Sequence, residues 1–372
     1  MAPASFTGED LAEIGVTGGR AVVAAMVSAL GGIEGLRPAE PGEFSWRAFV
    51  NGRMDLSAAE GLADLVDAET EAQREQALRI AGGALRRECH EIRAALLEAM
   101  TMVEAALDFS DGEGLDERFL LIEALAAVAV TKVRICGALD NSSKSSRLRE
   151  GFSVVIAGPP NVGKSTLMNV LSGRDVAITS PVPGTTRDPI EVFLDLRGYP
   201  VVVVDTAGIR SSVDPIEREG IERAKRRAEA ADLVLWLHDT DGPESVSFGT
   251  TVYTVRTKID AAPRMADAAR EQRNFDISAK TGSGIKELLA AIGDLAEERM
   301  SGSEFAPLPL ERHKWAFKEA LAALDSAASS DRDLELVAED LRRAASALDR
   351  LIGRVGVEEV LSQIFSRLCV GK

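Results

Sequence analysis

Residues 158–165 read Gly-Pro-Pro-Asn-Val-Gly-Lys-Ser, the spacing G-x-x-x-x-G-K-[ST] of a phosphate-binding loop. Residues 153–157 before it, Ser-Val-Val-Ile-Ala, form a short apolar run that predicts a buried strand, and residues 164–172 after it predict an amphipathic helix. Strand, glycine-rich turn and helix start aim backbone N–H groups and the positive end of a helix dipole at one point, where a polyphosphate fits. In such a loop, Asn161, Val162, Gly163 and Thr166 surround the phosphates. Lys164 reaches the β and γ groups, and the Ser165 hydroxyl ligates Mg2+.

Three more segments follow in the order a guanine-nucleotide switch needs. Asp205-Thr206-Ala207-Gly208 ends an apolar strand at 201–204. There the carboxylate holds Mg2+ through water and the glycine amide senses the γ-phosphate. Thr257-Lys258-Ile259-Asp260 closes another apolar strand, and Asp260 is placed to accept two hydrogen bonds from the N1 and N2 edge of guanine, which adenine cannot offer. Ser278-Ala279-Lys280 follows a short strand at 275–277 and brings a backbone amide to guanine O6. Between the loop and Asp205 lies Gly184-Thr185-Thr186-Arg187-Asp188, with Thr186 the second hydroxyl ligand of Mg2+. One letter departs from the usual pattern. Position 257 is Thr where Asn would bond guanine N7 and brace the phosphate loop, so a single hydroxyl is left for part of that work.

The hydrolytic step is less fully specified. Ile209 stands where many GTPases carry a water-orienting glutamine. Glu217, in the polar stretch that follows, reads either as a group that orients water or as a solvated glutamate at a helix start. Positive charge beyond Lys164 and Mg2+ comes either from an arginine, with Arg187 and Arg210 local, or from a bound monovalent cation. Asn161 and the carbonyls of the turn Ser180-Pro181-Val182-Pro183-Gly184 offer the oxygen-only donors that suit K+.

The 372-residue chain has room for two or three domains, with 45% hydrophobic and 27% charged residues. A net charge of −16 argues against a broad basic face for nucleic acid, so any RNA is held locally or by a partner. Cys89, Cys136 and Cys369 are scattered, as are His90, His238 and His313, so neither a paired-cysteine metal site nor a histidine catalytic centre is expected. The longest apolar run, 119–130, contains Glu123 and is too short to span a bilayer, and no signal peptide is recognisable; a reducing cytoplasmic location follows. Residues 1–45 are turn-rich with one helix near 19–30, and 56–107 are helical. An Asp-Gly turn at 111–112 breaks the pattern before a helix at about 116–140. Residues 141–146, Asn-Ser-Ser-Lys-Ser-Ser, read as a solvated linker, 301–309 as a second linker, and 310–368 as helical. The expected fold is therefore multidomain α plus α/β: a Ras-like P-loop GTPase domain inserted into a helical domain whose two halves pack together. Two independent helical arms are the alternative.

With these residues in place, the chain resembles the tRNA-modification GTPase family MnmE (TrmE) over nearly its whole length. Asn161 in the loop, Gly184-Thr-Thr-Arg-Asp188, Asp205-Thr-Ala-Gly-Ile-Arg210 and the inserted α/β domain all match. So do Ser5-Phe-Thr-Gly-Glu-Asp10, Pro41-Gly-Glu-Phe44, Arg47-Ala-Phe49, Asn51-Gly-Arg-Met-Asp-Leu56 and the C-terminal Cys369-Val-Gly-Lys372. The resemblance implies a partial α+β folate-binding and dimerisation domain over 1–50, a helical domain over 51–148 and 300–372, and the GTPase domain over 149–299. It implies GTP hydrolysis when the GTPase domains of a homodimer meet, with K+ held by Asn161, Ser180, Val182 and Thr185, and Mg2+ by Ser165 and Thr186. Glu217 then aligns with the family's water-orienting glutamate. An FAD-dependent partner of the MnmG type would complete a heterotetramer that modifies C5 of the wobble uridine in certain tRNAs, with a tetrahydrofolate giving the one-carbon unit. Glu13, Arg53 and Lys372 match folate-contacting positions, and Cys369 the tail cysteine needed for modification. The family's first strands and a folate-contacting arginine precede the point where this chain starts, so exposed strand edges are expected in residues 1–45. Thr17 replaces a usual histidine, and the stretch between Thr240 and Thr251 is short for the family. Two further readings accompany this one. A ribosome-assembly GTPase would usually carry a basic RNA-binding domain, which this composition lacks. A non-catalytic GTP-binding scaffold would stay monomeric with nucleotide bound.

Overall fold

The computed structural model describes residues 4–108, 117–174, 176–178, 191–205, 229–239, 249–261, 273–302, 307–329 and 333–352. They fall into two compact units. One is drawn from 1–68, 75–142 and 304–372, and the other from 69–74 and 143–303.

The first unit is helical. Its helices are Arg20–Gly31 (α1), Glu43–Val50 (α2), Leu56–Asp67 (α3), Glu71–Ala81 (α4, whose first turn belongs to the second unit), Ala84–Asp108 (α5) and Glu117–Asp140 (α6). On α5, Leu85, Cys89, Ile92, Leu96, Ala99 and Val103 recur at alternating spacings of four and three, so they line one face and are all buried. They share a core with Val128 and Ile135 of α6 and with residues from beyond the second unit in sequence: Phe317 and Leu324 in the helix Glu311–Ala327, and Leu341 and Leu348 in Leu334–Leu351. Separate helical arms are thereby excluded; neither half has enough apolar surface to close a core alone.

Several expectations need correction. Residues 142–150 are the helix Ser142–Glu150 (α7), not a linker. Ser142 and Ser145 are buried, and the Ser142 hydroxyl donates to the Leu139 carbonyl at 2.6 Å. Satisfied in this way, serine no longer competes with the helix backbone. Leu308, in the second expected linker, is a core residue. Among the described residues before Leu56 there are two helices and no strand. The stretch 10–19 is exposed and unassigned, because an extended segment needs a hydrogen-bonded neighbour to become a strand. The helix expected near 19–30 is present as α1, yet none of its residues is buried. The Asp-Gly break at 111–112 and residues 353–368 lie outside the described residues.

The second unit carries the sheet. Its elements are Phe152–Ala157 (β1), Lys164–Ser172 (α8), Glu191–Leu196 (β2), Tyr199–Asp205 (β3), Leu233–His238 (β4), Thr251–Arg256 (β5), Asn274–Asp276 (β6) and Ile285–Met300 (α9). The strand order is β2-β3-β1-β4-β5-β6, with β2 antiparallel to β3 and the others parallel. Phe152, Val154 and Ile156 point to one face, where Leu167 and Leu171 of α8 and Ile285 and Ile292 of α9 cover them. Val155 and Ala157 point to the other, with Val234 and Ala231. The strand order reverses at β1, which has β3 on one side and β4 on the other, so the crevice beyond its C-terminal end is where a doubly wound sheet takes a ligand.

Candidate functional site

The loop after β1 has the backbone its sequence demands. Gly158 sits at φ 147°, and a Cβ there would collide with the Leu237 carbonyl of β4. Gly163 is left-handed at φ 108°, and Asn161 adopts φ 62°, a region asparagine tolerates better than most residues. Helix α8 starts at Lys164, so Ser165 and Thr166 lie in its first turn. The Lys164 ammonium donates to the carbonyls of Gly158 at 2.9 Å and Pro159 at 2.8 Å, folding the side chain over the loop. Burial pushes its pKa down, and the Asp205 carboxylate pulls it back up.

Asp205, buried at the end of β3, accepts from the Ser165 hydroxyl at 3.4 Å. A hydroxyl and a carboxylate facing each other beside a phosphate cradle are hard oxygen donors of the kind Mg2+ prefers. No cluster of His, Cys, Asp or Glu that could itself hold a metal occurs among the described residues.

The segment after β5 is tied to the loop at two points. The Thr257 hydroxyl donates to the Val162 carbonyl at 2.7 Å, with the His238 carbonyl at 3.3 Å. Lys258, at φ 57°, donates to the Asn161 carbonyl at 2.7 Å and to Asp239 at 2.9 Å, and that contact holds the Asp239 carboxyl below its ordinary range. Threonine thus supplies the bracing that asparagine would give. The Lys258 bridge and Asp239 were not singled out in the sequence; a lysine beside the recognition aspartate was the available signal.

Two residues on, Asp260 accepts from the Ser278 hydroxyl at 2.7 Å. That bond is the main reason its pKa is lowered, so it presents a carboxylate. Ser278 is buried, its Oγ accepts from the Thr281 amide at 3.2 Å, and Ala279 and Lys280 form the turn around it. Gly284 closes this turn at φ 74°, where a Cβ would collide with the Asp276 carbonyl.

Asn161, Val162, Gly163, Lys164, Ser165, Thr166, Asp205, Thr257, Lys258, Asp260, Ser278, Ala279 and Lys280 therefore gather at the ends of β1, β3, β5 and β6. Ser180, Pro181, Val182, Pro183, Gly184, Thr185, Thr186, Arg187, Thr206, Ala207, Gly208, Ile209, Arg210 and Glu217 lie outside the described residues, as do Cys369 and Lys372. Glu13 and Arg53 belong to the first unit. Glu13 is exposed in the stretch 10–19, and Arg53 follows α2 and lies against Gly8.

Residues 56–369 match the family model of the MnmE helical domain, and residues 1–53 match that of the GTP-binding protein TrmE N-terminus. The whole chain aligns with the tRNA modification GTPase MnmE of Rhodopseudomonas palustris (strain BisB5) at 50% identity over 391 residues, covering 85% of that protein. The MnmE proteins of Methylobacterium sp. (strain 4-46) and Bradyrhizobium sp. (strain ORS 278) are 50% and 48% identical, each with the whole chain aligned and 84% of the relative covered.

Proposed function

Since this chain belongs to the MnmE family of tRNA modification GTPases, we propose that it is a GTP hydrolase whose turnover serves modification of the wobble uridine of tRNA at C5. The observation that carries the reading is the double tie of Thr257 and Lys258 to the phosphate loop, with Asp260 oriented by Ser278. It joins a phosphate cradle to a carboxylate that only guanine's paired N–H donors satisfy.

In this reading Lys164 exchanges its loop carbonyls for the β- and γ-phosphates. Ser165 and Thr186 would hold Mg2+, with the Asp205 carboxylate beside it, and the metal would supply positive charge for the phosphates. Asn161, Ser180, Val182 and Thr185 hold K+, which takes the place of an arginine finger. Glu217 orients the attacking water. Homodimerisation brings two GTPase domains together and completes the cation site. The largely apolar α1, with no residue buried, supports a covered surface in the N-terminal segment. An FAD-dependent partner of the MnmG type supplies the redox chemistry of modification. Glu13, Arg53 and Lys372 serve a tetrahydrofolate, and Cys369 is the tail cysteine that modification needs. No helix among the described residues is long and apolar enough to cross a membrane. A cytoplasmic location is part of this reading.

The test is GTP hydrolysis in KCl and in NaCl at matched ionic strength. Turnover is expected to rise strongly in K+, and Asn161→Ala or Glu217→Ala to suppress the rise. Equal rates in the two salts would remove the cation from the mechanism.

A further inference from the structure

At the end of the sheet away from the phosphate loop, where the parallel strands begin, the nucleotide unit holds a cavity of about 490 Å³. Its walls come from positions just before strands, Asp232 before β4, Thr250 before β5 and Arg273 before β6, together with Glu229, Arg147 of α7 and Arg299 in the last turn of α9. Asp232 is committed: it accepts from Arg147 Nε at 2.5 Å and from the Ser153 amide at 3.0 Å. The Thr250 hydroxyl donates to the Ala231 carbonyl at 3.0 Å. Arg273 and Arg299 are different. Both line the cavity, both are exposed, and neither guanidinium has a hydrogen-bond or ion-pair partner among the described residues. Arg299 also complements the C-terminal dipole of α9, worth about 0.3–1 kcal/mol, but that leaves its fork of N–H donors unused.

In a chain of net charge −16, two guanidiniums on one polar cavity, without a partner among the described residues, form a local anion site. Guanidinium matches phosphate in bidentate geometry, and the volume accepts a nucleotide-sized group. We propose that this cavity binds a phosphate group through Arg273 and Arg299, and that the phosphate belongs to an RNA backbone. The RNA source rests on the tRNA reading above; the phosphate chemistry does not. The net charge leaves RNA to be held locally or by a partner, and this cavity is a local site; it lies a strand length, ~20 Å, from the nucleotide site, so GTP and RNA need not compete.

The experiment uses the full chain saturated with GDP, so that the phosphate loop is filled. One arm titrates an unmodified tRNA transcript between about 50 and about 200 mM salt; the other titrates inorganic phosphate calorimetrically. Arg273→Ala with Arg299→Ala is expected to weaken tRNA binding roughly tenfold and to flatten the log K against log salt slope by about 1–2. Lys286→Ala, at the other end of α9, should match wild type, and GTP turnover should be unchanged in both. Because both arginines are exposed, the double variant should retain its fold, as circular dichroism would show. Loss of phosphate binding with tRNA binding absent or unaltered would keep the phosphate site and reject the RNA source. Wild-type behaviour of the double variant in both arms would overturn the proposal.

Discussion

In the proposed GTP site, Asp260 concentrates specificity in one carboxylate. The Ser278 hydroxyl holds it ionised and oriented, so it can accept only from donors. Asp260→Asn replaces one acceptor oxygen by an N–H2 donor. GTP affinity should fall at least about a hundredfold, from two charge-assisted bonds of about 1.5–3 kcal/mol each. Xanthosine triphosphate, which carries an oxygen where guanine has its amino group, should bind better than to wild type. Competition against a fluorescent GDP analogue reads both. Thr257 works through the backbone instead. Thr257→Val keeps the shape and removes the donor to the Val162 carbonyl, which should cost about 1–2 kcal/mol. A lower melting temperature and roughly tenfold weaker GDP binding are the expected result, the latter because the freed loop must be ordered when the ligand arrives.

At the scale of elements, the helical unit is closed by a contact no sequence motif announces. Glu60 of α3 is buried and accepts from the Arg312 guanidinium through both carboxylate oxygens, and from His313 Nε2 at 2.8 Å. Arg312 also donates to the Leu351 carbonyl at 3.0 Å. Glu60 thus joins the first helical half to one helix of the second, and Arg312 links that contact to the other. Burial raises the Glu60 pKa, but the hydrogen bonds from His313 and Arg312 outweigh it, and the net shift is downward from 4.5. A depressed folded pKa means stability that is present above the unfolded value and lost as pH falls through the folded one. Acid should therefore weaken the wild-type protein progressively below about pH 4.5. Glu60→Gln should be roughly 2–4 kcal/mol less stable at neutral pH, since it strands the partly exposed Arg312, and its stability should depend less on pH below that point. Denaturant melts at pH 7 and at pH 4 would show both effects; equal stability of the two proteins at neutral pH would reduce the cluster to packing.

At the scale of the molecule, α1 is left uncovered, and in the proposed homodimer it is the contact to test. Val22, Val23 and Val27 are each more than 40% exposed on a helix that buries nothing. Phe6, Ile14, Ile33, Phe44 and Trp46 add to the same uncovered segment. Val23→Glu with Val27→Glu should shift sedimentation from dimer to monomer and remove the K+ stimulation of hydrolysis without changing GDP affinity. An unchanged sedimentation coefficient would remove α1 from the proposed homodimer contact.

The nucleotide site was legible because its information is local. A phosphate loop needs particular residues at particular spacings on one continuous segment, and Lys164, Ser165, Asp205 and Asp260 lie where those spacings put them. The strands at β1, β3 and β5 were legible for the same reason, since an apolar run against a glycine-rich turn has few alternatives. What only the tertiary structure decided involves partners distant in sequence. The serine-rich 142–146 reads as a linker until burial and the Leu139 carbonyl make a helix of it. The Glu60 cluster spans 252 residues of sequence. The cavity of Arg273 and Arg299 is assembled from residues before different strands, and adjacency across a parallel sheet leaves no trace in the spacing along the chain.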